Sequence, residues 1–169
     1  MPDWQQIREQ HGPVVWAAAY RILGNHAEAS DCFQDVFAEV LERSSPEEVH
    51  DWPAYLRWLA AKRALNRLRK RRTEAERHST AIELATLPTA SLGPAVQAEW
   101  NELFERVRNE VARLPAQQGL AFWLRCIEQL SYAEIGQQLK LDANTVGVLV
   151  HRARTHLRHV LADLNPVKH

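Results

Sequence analysis

The stretch "LSYAEIGQQLKLDANTVGVLVHRAR", Leu130 to Arg154, constrains this chain more than any other. Ser131 followed by Glu134 is a capping box, and Asp142 is a second N-cap. Two helices must therefore begin eleven positions apart, the first short and with almost no turn between them. Ala133, Ile135, Leu139, Leu141, Val146 and Val150 fall where two such helices would meet and fix their angle. Lys140 stands at the turn, where a non-glycine residue is expected to adopt the left-handed conformation. A short helix, a tight turn and a long helix form a helix-turn-helix.

The rest of the 169 residues is equally helical in pattern. A chain of this length makes one ordinary domain or two small ones. Ala, Leu, Arg, Glu and Gln favour helix, and β-branched runs are scarce. Pro13 is expected to divide the first helical stretch, because proline breaks a helix interior. Gly24 ends that stretch, and Asn25 with Glu28 reads as the next capping box. The helix that follows carries Cys32, Phe33, Val36, Phe37, Val40 and Leu41 as one apolar stripe. Pro53 opens a third helix that runs into "RLRKRRTEAERH", with Trp58 on its core face. Ser79 to Ala95 is rich in Ser, Thr, Pro and Gly and reads as a linker, with a further helix from about Ala98 to Arg113. Each half holds roughly 70 residues, near the size that buries only about 60% of its unfolded surface, so each is marginal alone.

Several function classes are excluded at this level. No stretch approaches 18 apolar residues, and no secretion signal opens the chain. Cys32 and Cys126 sit among apolar residues and read as core side chains, which places the chain in the cytoplasm. His151, His156 and His159 are too loosely spaced for a metal site and lack a Cys or acid beside them. No nucleophile, acid–base pair or cofactor motif converges, so no catalytic residue, metal or cofactor is assigned and the chain is not read as an enzyme. A nuclease using the acidic helix with Mg²⁺ would need carboxylates gathered at one point, and here they spread around a helix.

Net charge is zero, yet the charges are segregated. Glu28, Asp31, Asp35, Glu39, Glu42, Glu47, Glu48 and Asp51 face one base, Arg43, between positions 28 and 51. Nine bases then lie between Arg57 and Arg77 against two acids, Glu74 and Glu76. Such blocks suggest two partner surfaces, or two helices that pair with each other. In the helix-turn-helix the base-edge positions are Asp142, Ala143, Asn144, Thr145, Gly147 and Val148. Asn144 can pair with adenine, Thr145 with a phosphate or base, and the small apolar groups with thymine methyls. His151, Arg152 and Arg154 suit phosphates.

Taken in order, "YRILGNHAEASDCFQDVF", "WLAAKRALNRLRKRR", "LSYAEIGQQL" and "TVGVLVHRAR" resemble the minimal, two-domain extracytoplasmic-function (ECF) sigma factors. The resemblance covers Tyr20 to Leu161. It implies an all-α fold of two small helical bundles joined by a flexible linker. Residues 1–78 would form a region 2-like domain, 79–97 the linker and 98–169 a region 4-like helix-turn-helix domain. Asp31, Gln34, Asp35 and Glu42 would meet the clamp helices of RNA polymerase core. Trp52, Tyr55, Lys62, Arg63, Asn66, Arg67, Arg69 and Lys70 would hold the opened minus-10 DNA. Asn144, Thr145, Val148, His151, Arg152 and Arg154 would read the minus-35 element. An anti-sigma factor is an expected partner alongside polymerase and promoter DNA; membrane insertion is not expected.

The chain departs from the family's "TVKSRLHRA" at "TVGVLVHRA", where Gly147, Val148 and Leu149 replace a lysine, a serine and an arginine. Gln118 and Gly119 replace the Arg-Glu that follows "LP". Each lost phosphate contact lowers affinity and salt dependence, which leaves a weaker, more apolar minus-35 readout, or else Val148 and Leu149 facing a protein such as an inhibitory partner. Two other readings predict different behaviour. A stand-alone helix-turn-helix regulator would bind DNA as a dimer without polymerase. A pure interaction module would bind polymerase, or an anti-sigma protein, without opening a promoter.

Overall fold

The computed structural model describes residues 3–43, 48–77 and 93–162, and no strand occurs among them. Among the described residues seven helices run α1 (Trp4–Leu23), α2 (His26–Glu42), α3 (Trp52–Arg77), α4 (Pro94–Arg113), α5 (Ala116–Cys126), α6 (Tyr132–Leu139) and α7 (Ala143–Val160). Residues 79–92 of the expected linker, and Glu47 of the acidic block, lie outside the described residues.

The first helix corrects the expected break at Pro13. α1 continues through the proline, and Gly24 then closes it in the left-handed conformation at φ 67°. A proline inside a helix costs about 3 kcal/mol. Here Ile7 on one side and Val15, Ala18, Ala19 and Ile22 on the other are all buried, and Pro13 itself faces solvent. Packing of both segments outweighs the lost hydrogen bond.

Asn25 caps α2 by accepting from the Glu28 N–H at 3.1 Å. The expected second half of that box is not made, because the Glu28 carboxylate is held by Arg71. Cys32, Val36, Phe37 and Val40 are buried as expected, while Phe33 is half-buried and Leu41 is 57% exposed. Asp51 starts α3, accepting from the Ala54 N–H at 3.1 Å. Leu56, Leu59, Leu65 and Leu68 are buried against α1 and α2. α4 begins at Pro94, earlier than Ala98, because a proline fits the first turn of a helix.

The helix-turn-helix forms as its caps dictate. Ser131 and Glu134 complete both halves of the capping box, and Asp142 accepts from the Thr145 N–H at 2.7 Å. Lys140 adopts φ 57° and ψ 45°, the expected left-handed turn. Ile135, Val146 and Val150 are buried between the helices, Leu139 and Leu141 are partly buried, and Ala133 is exposed instead. Gly136 has a packing reason: a Cβ there would lie 2.5 Å from the Leu141 carbonyl oxygen.

The two halves also pack on each other, α3 against α4, α5 and α6. Their interface is built on arginines that cap helix C-termini, where carbonyls lack intrahelical partners. Arg69 Nε donates to the Ala112 carbonyl at 3.1 Å, and Arg72 Nη1 to that of Asn109 at 2.5 Å, both near the end of α4. In return Arg108 of α4 donates through Nε to the Arg21 carbonyl near the end of α1 at 2.5 Å. The Arg21 side chain reaches Glu128, whose carboxylate is almost fully buried, at 3.3 Å.

Candidate nucleic-acid and polymerase interface

The acidic and basic blocks do pair with each other. Arg63 meets Glu39, Arg67 meets Asp35 and Arg71 meets Glu28, so α2 and α3 are joined by a ladder of ion pairs. The spacing 63, 67, 71 places all three arginines on one face of α3. Arg71 also donates to the Leu23 carbonyl at 3.1 Å, tying α3 to the end of α1.

This pairing changes which predicted residues stand free. Of the four residues expected to meet polymerase, Asp31, Gln34 and Glu42 are exposed on α2, and Asp35 is half-buried in its pair with Arg67. Ala38 lies exposed between them. The exposed face is polar and runs beside the exposed Leu41.

The residues expected at the minus-10 strand separate into two sets. Lys62, Asn66 and Lys70 are exposed. Lys62 holds its ammonium over the Trp58 ring, 5.1 Å from its centre, and Asn66 accepts from Arg69 at 3.0 Å. Arg63, Arg67 and Arg69 are each half-buried and engaged inside the molecule. Partial burial also pulls the Arg69 guanidinium down from its usual pKa range. Trp52 is half-buried and meets Trp4 and Tyr55 edge-on at 6.1 and 6.0 Å. Tyr55 is only 8% exposed and accepts from Arg43 at 3.1 Å, so in this conformation its face is not open for stacking.

Sequence reasoning missed that the C-terminal half closes over this region. A cleft of about 300 Å³ is lined by Trp58, Lys62, Asn66 and Arg69 from α3 and by Gln117 and Leu139 from the other half. A second, of about 820 Å³, places Trp52, Tyr55 and Trp58 opposite Gln137 and Lys140. Trp58 is half-buried at both clefts, with its indole N–H unpartnered, in place of the core position expected from its stripe. No local signal marks Arg108 or Glu128 as interface residues, since their partners lie far away in the chain.

In the C-terminal half, Asn144, Thr145, Val148, His151, Arg152 and Arg154 are all exposed along α7. Asn144, Val148 and His151 share one stripe, with Arg152 beside it, as i, i+4, i+7 and i+8 spacing requires. Arg154 reaches sideways, donating to Cys126 Sγ at 3.4 Å. Cys126 is half-exposed, in contrast to its expected core position, whereas Cys32 is fully buried and its thiol pKa is pushed up to about 11 by that burial.

Among the described residues no cluster of His, Cys, Asp and Glu could hold a metal ion, and no helix is long and apolar enough to cross a membrane. The fold is thus a helical front unit bearing an acid–base ladder, followed by a helix-turn-helix whose second helix stands outward. An outward second helix in a helix-turn-helix is the arrangement by which such units enter the major groove of DNA. Sigma-70 region 2 matches residues 7–74, and Sigma-70 region 4 matches residues 104–157. The chain is 28% identical over 162 residues to the ECF RNA polymerase sigma factor SigE of Mycolicibacterium smegmatis, covering 96% of this chain. It spans 63% of that relative's length. It is 26% identical over 157 residues to the ECF sigma factor SigW of Bacillus subtilis, covering 89% of this chain and 84% of that one. Among solved structures, it resembles the sigma factor RpoE of Bartonella quintana, crystallised with the anti-sigma factor NepR. That match has a TM-score of 0.62 at 21% identity, over 96% of this chain and 98% of that one. The ECF sigma factor SigJ of Mycobacterium tuberculosis matches with a TM-score of 0.52 at 20% identity, over 90% of this chain and 51% of that one. The two structural matches show the fold. The two family models, which together span most of both halves, place this chain in the Sigma-70 family, and the curated relatives it is similar to are ECF sigma factors.

Proposed function

We propose that the chain recruits RNA polymerase core to particular promoters and opens them, acting in the cytoplasm and without enzymatic activity of its own. The observation that carries this is the occurrence of both sigma regions in order, 7–74 and then 104–157. A region 2 match over the front half disfavours a stand-alone regulator. In this reading residues 1–78 dock on the clamp helices through Asp31, Gln34, Asp35 and Glu42. An acidic and amide face beside the apolar Leu41 suits a basic helical partner. α3 holds the separated minus-10 strand, with cations for the backbone and aromatic rings for bases. Residues 98–169 hold the minus-35 duplex through α7, and 79–97 link the two. The solved relative bound to NepR supports an anti-sigma factor as a further partner.

The closed structure cannot do this unchanged. The two elements lie about 25 base pairs apart, about 85 Å at roughly 3.4 Å per step. A compact chain of 169 residues has a radius of gyration of about 15 Å and is about 40 Å across. The halves must therefore part on the promoter, releasing Arg69 and Arg72 from the end of α4 to serve the DNA.

Run-off transcription with purified polymerase core tests the reading. Asp31→Ala, Gln34→Ala and Glu42→Ala combined, all exposed, should abolish core binding and transcription while leaving the fold intact. Lys62→Ala with Lys70→Ala should spare core binding and impair opening. Arg69, Arg71 and Arg72 are unsuitable for this purpose, because each also holds the molecule together. Core binding that survives the α2 triple variant at full strength would refute the assignment of that face.

A further inference from the structure

Three helical glycines of the C-terminal half differ in one respect. A Cβ on Gly119 would lie 2.7 Å from the Val111 carbonyl oxygen, and one on Gly136 would lie 2.5 Å from that of Leu141. Both are required by close packing. A Cβ on Gly147 would find only the Tyr132 ring, at 3.7 Å, an ordinary contact. Its backbone is regular helix within α7. A glycine in a helix interior is destabilising relative to alanine, and here nothing in the fold asks for it.

The remaining physical use of such a glycine is close approach of the backbone to a ligand. Its neighbour Val148 is 48% exposed, an isopropyl group held out on the outward face of α7. From Ala143 to Val150 the helix carries no charged residue, and Gly147 and Val148 offer no side-chain hydrogen-bonding group, so these two positions act by shape and apolar contact. Asn144 precedes it by one turn, while His151 and Arg152 follow it, all exposed. Polar readers and a cation thus flank an apolar gap at the place where a recognition helix meets base edges. In the major groove, the apolar feature on a base edge is the 5-methyl of thymine.

We infer that Gly147 and Val148 form an apolar saddle that receives a thymine methyl, so that this chain selects thymine at the upstream position they face. This rests on the reading of α7 as the minus-35 reader and deepens it by naming the base. Gly147 lets the helix backbone approach closely, Val148 supplies the contact, and Arg152 anchors the phosphates alongside.

The test uses the full chain assembled with polymerase core and a pool of duplexes randomised across the upstream element. Recovered duplexes are remade with thymine or with uracil, which lacks only the methyl. Enrichment of thymine, with a loss of about four-fold for each methyl removed, is the expected result. Val148→Ser should bring the thymine-to-uracil ratio close to one. Gly147→Ala should raise the melting temperature by about 2–4 °C yet weaken binding to the thymine duplex about four-fold or more. Equal binding of thymine and uracil duplexes would overturn the inference. So would Gly147→Ala that stabilises the fold and leaves DNA binding untouched, or Val148→Ser that preserves the thymine preference. Arg152→Ala separates the two levels: it should weaken thymine and uracil duplexes alike and lower the salt slope by about one. Duplex binding that survives Arg152→Ala and Arg154→Ala unchanged, with no sequence enriched, would refute α7 as the DNA reader altogether.

Discussion

α3 and α7 handle charge in opposite ways. α3 lies in the most basic stretch of the chain, yet Arg63, Arg67, Arg69, Arg71 and Arg72 all donate to carboxylates or carbonyls within the molecule. α7 has fewer cations, but Arg152 and Arg158 are exposed together with His151 and His159. A count of bases therefore ranks the two helices wrongly for readiness to bind DNA. The front half holds most of its charge in internal pairs, whereas α7 has little charge and keeps it outside.

The comparison breaks most sharply at Arg108, which is 1% exposed and bonds both Glu105 and the Arg21 carbonyl. Burial holds its guanidinium below the usual pKa range, against the pull of Glu105. Arg108→Ala leaves those acceptors unpaired and should cost about 3–5 kcal/mol in a urea melt. If the halves held together by other means, the loss would fall below about 1 kcal/mol. Gly136→Ala forces a Cβ against the Leu141 carbonyl and should cost about 1–3 kcal/mol, the reverse of Gly147→Ala.

Cys32 sharpens the front-half account through pH. Its folded pKa is raised from 9.0 to about 11 by burial. The unfolded chain then loses its thiol proton first, so the contribution is complete below pH 9 and is lost as pH rises from 9 to 11. The slope reaches about 1.4 kcal/mol per pH unit between those limits. Cys32→Ala should remove that part of the alkaline slope, measured by denaturant melts at pH 8 and 10.5. The smallest effect belongs to one rung of the ladder. Arg63 is more than a third exposed, so Arg63→Ala should cost about 0.3–1 kcal/mol and less at high salt.

How much of this was readable in the chain follows from the range of each interaction. Caps and turns are local, so Asn25, Ser131, Asp142, the end at Gly24 and the left-handed Lys140 were legible. The apolar stripes of α2 and α3 were legible for the same reason, apart from the exposed Leu41 and the half-buried Phe33 and Trp58. Pro13 was misread because a local penalty was outweighed by packing on both sides of it. The pairing of acidic and basic blocks was visible only as one of two possibilities, since charge alone does not say which partner takes it. Arg21 with Glu128, and Arg108 with the end of α1, join residues about a hundred positions apart and leave no local mark. Small apolar groups at the start of α7, Gly147 and Val148 among them, stood out in the sequence, whereas the open space around Gly147 is visible only in the structure.

The central claim is that α3 is held by the C-terminal half in the free chain and released on polymerase. Thr73 and Arg113 are exposed on α3 and α4, next to the Arg72–Asn109 and Arg69–Ala112 bonds. With cysteines placed there for fluorescent labels, and Cys126 replaced by Ser, energy transfer should be high in the free chain. It should collapse when polymerase core and promoter DNA are added. Transfer that stays high in complexes that are initiating transcription would contradict the account, because α3 would then be reading DNA without ever leaving α4.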